Sequence, residues 1–506
     1  MTPLTAAEPP TDVPTESQHA STADETAVFA VYGVEPEVQA YAMAKYSRSA
    51  LSMKESLREI SSQKAEKFLN TFYFQYGHRS IADLAHIAMA IERLSILAAI
   101  ILVDEQRWDG QERSTRYQNF RKSGYYTPDF GTHVEQRQLF CGTADFLFSE
   151  YDAISEAVFQ HLVGRTPQPP EMKRDQYERT LRARAFDASR YLLPLGTNTS
   201  LGQIVNARTL ETQIARLLSS PYAEVRQLGV KLKAAANEPA YDLTGSGPGV
   251  RVAPTLVKYA DANEYEIKSR AELTQAAAEL MQRAAIEPAP VVDLLDESEP
   301  FETELATTLL YQHSMYRYRQ VQARVQTLTE AQRSEIINLG LRHRGKHDEL
   351  SRAFAAGQKF RFDICMDLGA FRDMHRHRRC IQIVQPFAAG RLGYDTPSEM
   401  VEAGLQSRFD AAMQRVGEAQ CKLSSHADLE LHSHYLSPLA HRQRALFKMD
   451  FSEAAYIAEL RTTPAGHYSY RRVAWQMYRA LVERYPALAQ FLRVTDINEP
   501  VDLLKR

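Results

Sequence analysis

The sequence predicts an α/β protein of the mixed α+β kind, with two tandem strand–helix units related by a pseudo-twofold axis. The chain has 506 residues, which is more than one hydrophobic core usually supports. Alternation of apolar residues predicts a strand followed by a helix in each half. Similar short phrases then follow both units in the same order, which indicates an internal duplication.

The predicted strands carry different patterns in the two units. In the first unit, large and small apolar residues alternate at 86–91, and the apolar run at 94–103 predicts a buried helix because it is too short to span a bilayer. In the second unit, apolar residues alternate with polar ones and predict a strand with one buried face: Phe360, Phe362, Ile364, Met366 and Leu368 against Arg361, Asp363, Cys365 and Asp367. Gly369 is expected to end that strand, and 370–379 to form a helix.

Three phrases support the duplication. The first is Gly124-Tyr-Tyr-Thr-Pro128, which is repeated as Gly393-Tyr-Asp-Thr-Pro397. The second is Tyr191-Leu-Leu-Pro194, which is repeated as Tyr435-Leu-Ser-Pro438. The third is Asn206-Ala-Arg208, which is matched with Glu459-Leu-Arg461. The third pair is the weakest, because the interval before it is nine residues longer in the second half.

Composition sets the expected domain boundaries. Residues 1–27 are rich in Pro, Thr, Ala and Glu and predict a disordered tail. A first unit is expected at 28–237 and a second at 257–506. The linker between them, at 238–256, contains the sequence Gly-Ser-Gly-Pro-Gly.

Charge and cysteine content exclude several classes of function. Sixty basic residues against 63 acidic residues give a net charge of −3, so neither a nucleic-acid coat nor a membrane-surface role is expected. The four cysteines lie far apart and form no C-x-x-C pair, which argues against a disulfide framework or a metal site and fits a cytoplasmic protein. Any anion binding must therefore be local.

One local cluster of positive charge lies in the second half. Between 342 and 379 there are ten Lys or Arg residues against five Asp or Glu residues, and Arg372, Arg376, His377 and Arg378 lie close together. Arginine guanidinium groups match phosphate oxygens bidentately, so the cluster suits a nucleotide phosphate or a flavin pyrophosphate. The alternative is a solvated helix end, where cations complement the helix dipole.

The first half contributes a different set of polar groups. Gln111, Glu112, Ser114, Arg116 and Tyr117 combine amide, carboxylate, hydroxyl, guanidinium and phenol groups that suit recognition of a base or a sugar. An ordinary polar loop is the alternative. Three further candidates stand apart from this phrase: His78 and Ser80 ahead of the first strand, and Arg208 in the third repeated phrase.

Together the two clusters resemble the signature of the flavin-dependent thymidylate synthases, R-H-R-x-x-S-x-N-E-x-S-x-R-Y. The triplet Arg376-His377-Arg378 is similar to the start of that signature, and Gln111 to Tyr117 is similar to its end. The segment 77–84 resembles the family's opening motif, and Asn206-Ala-Arg208 resembles its later N-x-R. A second triplet, Arg342-His343-Arg344, has no strand–helix unit before it, so the later triplet is preferred.

This resemblance implies reductive methylation of dUMP to dTMP, with FAD as cofactor and with NADPH and methylenetetrahydrofolate as co-substrates. It assigns catalysis to Arg376, Arg378 and Arg116, binding of the nucleotide substrate to Gln111, Glu112, Ser114, Arg116, Arg208 and Arg372, and binding of FAD to His78, Ser80, Arg376, His377 and Arg378. It also implies a site shared between the halves. Because the family forms homotetramers, two fused copies imply a homodimer.

Two other functions remain open at this point. One is a flavoenzyme that acts on another pyrimidine nucleotide or a modified base. The other is a non-catalytic protein that binds a nucleotide or a protein partner through the old site. A flavin spectrum from the pure protein would argue against the second.

Overall fold

The computed structural model describes residues 31, 33–45, 53–54, 57, 65–66, 69–70, 79–242, 249–296, 299–345, 348–490 and 492–504. The expected tail at 1–27 lies outside these residues, as do His78 and most of the Gly-rich part of the expected linker. The domain boundaries therefore stay a prediction. Among the described residues, no helix is both long enough and apolar enough to cross a membrane.

The first half contains one three-stranded sheet with helices around it. Its helices and strands are α1 (Pro36–Lys45), β1 (His86–Ser95), α2 (Ile96–Leu102), β2 (Asp109–Glu112), α3 (Val134–Arg165), α4 (Arg174–Ser189), β3 (Asn198–Asn206), α5 (Ala207–Leu218) and α6 (Ala223–Asn237). Short 3₁₀ turns lie at Arg79–Leu84 and Arg190–Leu192. The strand order is β1-β3-β2, and both pairings are antiparallel.

The second half repeats this arrangement and adds helices before it. Its helices and strands are α7 (Glu264–Leu280), β4 (Val292–Leu294), α8 (Phe301–Gln312), α9 (Tyr318–Gln326), α10 (Glu330–Leu339), β5 (Phe360–Asp367), α11 (Leu368–Met374), β6 (Ile381–Val384), α12 (Ser398–Glu402), α13 (Gln406–Ser424), α14 (Glu430–His434), β7 (Arg442–Met449), α15 (Phe451–Arg461), α16 (Tyr468–Arg484) and α17 (Pro486–Ala489). The strand order is β4-β5-β7-β6, so β5-β7-β6 corresponds to β1-β3-β2.

The duplication is confirmed by strand register. Ser95 pairs with Asn198 in the first sheet, and Asp367 pairs with Arg442 in the second. Ser95 and Asp367 each cap the following helix, and α2 and α11 are both 7 residues long. The first repeated phrase forms the same bridge twice, Tyr125 with Thr197 and Tyr394 with His441.

The glycines that open this phrase explain why it recurs. Gly124 has φ +66° and Gly393 has φ +76°, a left-handed conformation that other residues adopt only with strain. The chain must make this turn in both halves to bring the bridge residues onto the long central strand. The repetition is therefore a backbone requirement.

The two halves join through the second repeated phrase, about a pseudo-twofold axis. Pro194 and Pro438 form an antiparallel bridge with each other. The Leu195 amide donates to the Ser437 carbonyl at 2.9 Å, and the symmetric bond from Leu439 to Leu193 is 3.0 Å. Equivalent residues thus face each other across the axis.

Two details of the second unit differ from prediction. Strand β5 is buried on both faces, because Tyr311 of α8 and Tyr318 of α9 cover its polar side and donate to the Asp363 carboxylate at 2.8 and 2.9 Å. The helix after it ends at Met374, so the expectation that it reaches residue 379 was wrong. It also begins earlier than expected, because the Asp367 carboxylate accepts the Ala370 amide at 2.7 Å.

The third pair of phrases was matched wrongly. Asn206 caps α5 and Asp450 caps α15, so the counterpart of Asn206-Ala-Arg208 begins at Asp450. Arg461 is instead the last residue of α15. The similarity of Glu459-Leu-Arg461 was a chance match on one helix.

Buried histidines make the fold sensitive to acid. Burial lowers the pKa of both His434 and His441 to about 4 from an ordinary value of 6.5. Between these values the unfolded chain binds a proton that the folded chain excludes. We therefore expect the free energy of unfolding to fall as pH drops from 6.5 to 4, by up to about 1.4 kcal/mol per pH unit for each histidine.

Denaturant titrations of the full chain at a series of pH values measure this slope. The His441→Gln variant removes one of the two histidines and is expected to have a shallower slope than the parent. An identical pH profile for the two proteins would contradict the assignment.

Candidate functional site

The first-half signature phrase meets α11, the helix just before the basic triplet, where the halves join. Arg372, on α11 of the second half, donates from Nη2 to Glu112 Oε1 at 2.7 Å, at the end of β2 in the first half. Its Nη1 lies 3.4 Å from the Thr115 hydroxyl. The structure therefore brings this phrase and α11 into one cluster, which we call the arginine cluster: Glu112, Thr115, Arg116, Arg190, Arg372 and Arg461.

Arg116 is anchored deep in this cluster by groups from both halves. Its Nε donates to Asp187 Oδ1 at 2.8 Å in the first half, and its Nη1 lies 3.4 Å from the Tyr470 hydroxyl in the second. Burial disfavours the charged form, but the Asp187 carboxylate outweighs it and the pKa of Arg116 is raised. Arg116 thus stays positively charged in an environment that is largely shielded from solvent.

Arg190 is the functional candidate that sequence reasoning missed. Its side chain is 3% exposed, yet within the described part of the chain neither Nε nor Nη2 has a hydrogen-bond partner. Its Nη1 lies 3.4 Å from the Thr115 hydroxyl, and Asp373 Oδ2 is 3.8 Å from Nη2. A buried donor without a partner calls for an explanation, and a guanidinium with such donors is a candidate for binding an anion.

His377 connects the basic triplet to the same cluster. Its Nε2 accepts from Arg461 Nε at 2.8 Å, and its Nδ1 lies 3.3 Å from Glu453 Oε1. This arrangement fits a neutral ring with its proton on Nδ1, and burial lowers the pKa of His377 accordingly. The Arg461 guanidinium also lies 5.3 Å from the centre of the Tyr470 ring, which Arg116 contacts too.

The other members of the triplet point elsewhere. Arg376 is exposed and lies beyond the end of α11. Arg378 lies over the Trp108 ring at 4.7 Å, and burial lowers its pKa to about 10. The cavity beside Arg378 holds only about 10 Å³, enough for a water molecule and too little for a ligand.

The remaining predicted residues are less central. Ser114 accepts the Arg116 amide at 3.2 Å and so shapes the loop, while Gln111 is exposed on β2. Arg208 pairs with Glu349 at 3.0 Å and with Asp83 at 3.6 Å. Ser80 is exposed in the 3₁₀ turn before β1. A larger cleft of about 1130 Å³ lies along α13, and none of the predicted site residues line it.

A signal for Arg190 was present in the sequence. It stands directly before Tyr191-Leu-Leu-Pro194, and His434 stands directly before the second copy of that phrase. Comparing the residues that flank the repeats would have singled out a position whose charge differs between the halves. The comparison of the phrases alone did not reach it.

Comparison with known proteins also indicates that the two halves are copies of one unit. The profile of the thymidylate synthase complementing protein family matches residues 31–238 and 294–487, one segment in each half and together well over half of the chain. The chain is similar to the UPF0159 protein of Chlamydia muridarum, at 26% identity over 505 residues, covering 93% of this chain and 92% of that one. It is also similar to the flavin-dependent thymidylate synthase of Clostridium tetani, at 26% identity over 230 residues, covering 45% of this chain and 83% of that one.

Among solved structures, the chain is similar to flavin-dependent thymidylate synthase ThyX from Helicobacter pylori complexed with FAD and dUMP. The match has 15% identity and a TM-score of 0.27, and it covers 40% of this chain and 89% of that one. A likeness at this score is too weak to bear on function. The family match is decisive by its extent: the chain belongs to the thymidylate synthase complementing protein family, as an internally duplicated and divergent member of these thymidylate synthase-like methyltransferases.

Proposed function

We propose that the protein catalyses FAD-dependent reductive methylation of dUMP. The reaction takes dUMP, methylenetetrahydrofolate, NADPH and a proton, and gives dTMP, tetrahydrofolate and NADP⁺. The observation that carries the proposal is the arginine cluster, where Glu112 and Thr115 of the first-half phrase meet Arg372, four residues before the basic triplet of the second half. Family membership over both halves supports the reaction type.

The arginine cluster supports binding of a nucleoside monophosphate. Arg190 offers N–H groups that have no hydrogen-bond partner among the described residues, and Arg116 is held as a cation beside it by Asp187. Guanidinium groups bind phosphate strongly because each bond is charge-assisted. Arginines close to the pyrimidine would also stabilise negative charge that develops on the ring during reduction.

The residues around the basic triplet support a flavin on the protein surface. The buried side of Arg378 has no room for a ring system, whereas Arg376 is exposed and adjoins His377. When bound there, the flavin would supply the redox chemistry, and this chain's residues would orient it. An exposed cofactor face requires cover, so we propose a homodimer in which a second copy closes over Arg376.

A related flavoenzyme acting on another pyrimidine nucleotide is the second candidate. The observation that favours it is a change of charge: Asp104 stands in the first half where Arg376 stands in the second, and it binds Arg352 Nη1 at 2.5 Å. The Asp104 carboxylate is therefore already paired, and Arg376 has no basic counterpart in the first half. Turnover of UMP or a modified base with no turnover of dUMP would support this candidate.

We expect the purified full-length protein to be yellow and to lose its flavin absorbance on anaerobic addition of NADPH. Release of tritium from 5-tritiated dUMP, dependent on methylenetetrahydrofolate, measures the methylation itself. The Arg116→Ala variant is expected to lose at least about a hundredfold in turnover, because it removes a buried cation from the site.

Arg121→Ala is the matched control, since Arg121 is an exposed arginine in the same loop and pairs only with surface Asp152 among the described residues. Its turnover is expected to equal that of the parent protein. A colourless protein that does not take up FAD would reject the flavoenzyme proposal and favour the non-catalytic alternative.

A further inference from the structure

The pseudo-twofold axis defines a second position that is equivalent to the arginine cluster, with the roles of the halves exchanged. The counterparts follow from the fold: α2 and α11 have equal length, β2 and β6 have equal length, and Arg190 and His434 precede the same phrase. For the residues that the first half supplies to the cluster, Glu112 corresponds to Val384, Thr115 to Phe387, Arg116 to Ala388 and Arg190 to His434. For those that the second half supplies, Arg372 corresponds to Ile100 and Arg461 to Leu217.

The backbone at the second position is the same as at the first. The Arg113 amide donates to the Ser200 carbonyl at 2.9 Å, and the Gln385 amide donates to the Arg444 carbonyl at 3.2 Å. Two residues beyond these amides, Thr115 contacts Arg190 in one half, and Phe387 packs against His434 in the other. The positions are therefore equivalent in geometry and differ in their side chains.

The side chains at the second position remove its charge. Every charged member of the arginine cluster is replaced by an apolar residue or by His434, whose pKa burial lowers to about 4. Ile100, Leu217 and Ala388 are all buried, with exposures of 7%, 0% and 3%. No cation remains among these counterparts to bind a phosphate near neutral pH.

Aromatic side chains then fill the space. The Phe387 ring centre lies 6.4 Å from that of Tyr222 and 6.3 Å from that of His434. The Tyr222 hydroxyl and His434 Nδ1 are 2.7 Å apart, so the polar atoms of this group bond to each other. At the equivalent place in the arginine cluster, Arg190 has N–H groups without a hydrogen-bond partner in the described part of the chain.

We propose that the chain has one nucleotide site, with fixed roles for its halves, and that Phe387, Tyr222 and His434 close the second position as a packed aromatic group. The first half supplies the Glu112–Arg116 phrase and Arg190, and the second half supplies Arg372 and Arg461. The identity of the ligand as a nucleoside monophosphate rests on the proposed function. The closure of the second position does not.

Stability of variants tests the closure without any ligand. The Phe387→Ala variant is expected to lower the melting temperature by at least about 3 °C, because it leaves a cavity in a packed group. Phe301→Ala is the matched control: Phe301 is 59% exposed, and its loss is expected to change the melting temperature little. A melting temperature that Phe387→Ala leaves unchanged would overturn the proposal.

Stoichiometry tests the number of sites. Equilibrium dialysis of the FAD-supplemented full chain against radiolabelled dUMP is expected to saturate at one dUMP per chain, and Arg116→Ala to abolish that binding. Saturation at two per chain would overturn the proposal. Absence of dUMP binding together with a destabilised Phe387→Ala variant would reject the nucleotide assignment and retain the closed second position.

Discussion

Replacing Arg190 with methionine is expected to weaken dUMP binding at least about a hundredfold. The reason is the pair of N–H donors on Arg190 that have no hydrogen-bond partner among the described residues. Two charge-assisted bonds to a phosphate are worth about 3 kcal/mol or more together, and about 1.4 kcal/mol corresponds to a tenfold change in affinity. Isothermal titration of the full chain with dUMP measures the change directly.

The same substitution is expected to leave the fold intact. Arg190 is buried with imperfect pairing, since its nearest carboxylate oxygen is 3.8 Å away, and methionine has a similar length. Burying a charge that is not fully hydrogen-bonded costs free energy, so an apolar side chain of similar length is expected to leave the fold intact. A lower affinity with an unchanged or higher melting temperature would therefore identify Arg190 as a binding residue.

Arg179→Met provides the control, because Arg179 is exposed on α4 and its side chain donates to the Asp175 carbonyl of the same helix. Its affinity for dUMP is expected to match that of the parent. If Arg190→Met also bound dUMP like the parent, Arg190 would have only a structural role and the phosphate site would lie elsewhere.

The contrast between Arg190 and Arg116 shows how far the sequence predicts this site. Arg116 belongs to a recognisable phrase, and the observation that each half lacks a different part of one signature predicted that the halves share a site. Arg190 comes from a 3₁₀ turn that precedes β3, and only the fold brings it to Thr115. Comparison with His434 before the second copy of the phrase distinguishes Arg190, but it does not place Arg190 near Thr115.

Strand β5 shows a second limit. Alternation predicts which residues share a face, and the strand forms over Phe360 to Asp367, one residue shorter than expected. It does not reveal whether a polar face meets water or another layer. Asp363 is buried because α8 and α9, which precede the strand by many residues, supply tyrosines that bond to it. Only the tertiary arrangement decides that question.

Separating the partners of the Glu112–Arg372 ion pair is expected to be the most damaging change at the junction of the halves. The two side chains are 15% and 12% exposed, and they come from different halves. Arg372→Ala removes a cation and leaves the Glu112 carboxylate beside a site that binds an anion. We expect dUMP affinity to fall about a hundredfold or more, since like charges in a desolvated site repel strongly.

The double variant makes this explanation specific. Glu112→Gln in the Arg372→Ala background removes the carboxylate that has lost its cation and is expected to recover about tenfold in affinity, equal to about 1.4 kcal/mol. Glu112→Gln alone is expected to change affinity less than Arg372→Ala alone, because the cation remains. The four affinities form a double-mutant cycle with a coupling energy of at least about 1 kcal/mol.

The exposed pair of Arg121 and Asp152 provides the matching control cycle, with side chains 63% and 38% exposed. Exposed pairs contribute little, so its four variants are expected to share one dUMP affinity. Additive effects at Glu112 and Arg372 would mean that the two residues do not act on one ligand. The halves would then meet at this junction for structural reasons alone, and the nucleotide site would have to be sought on one half.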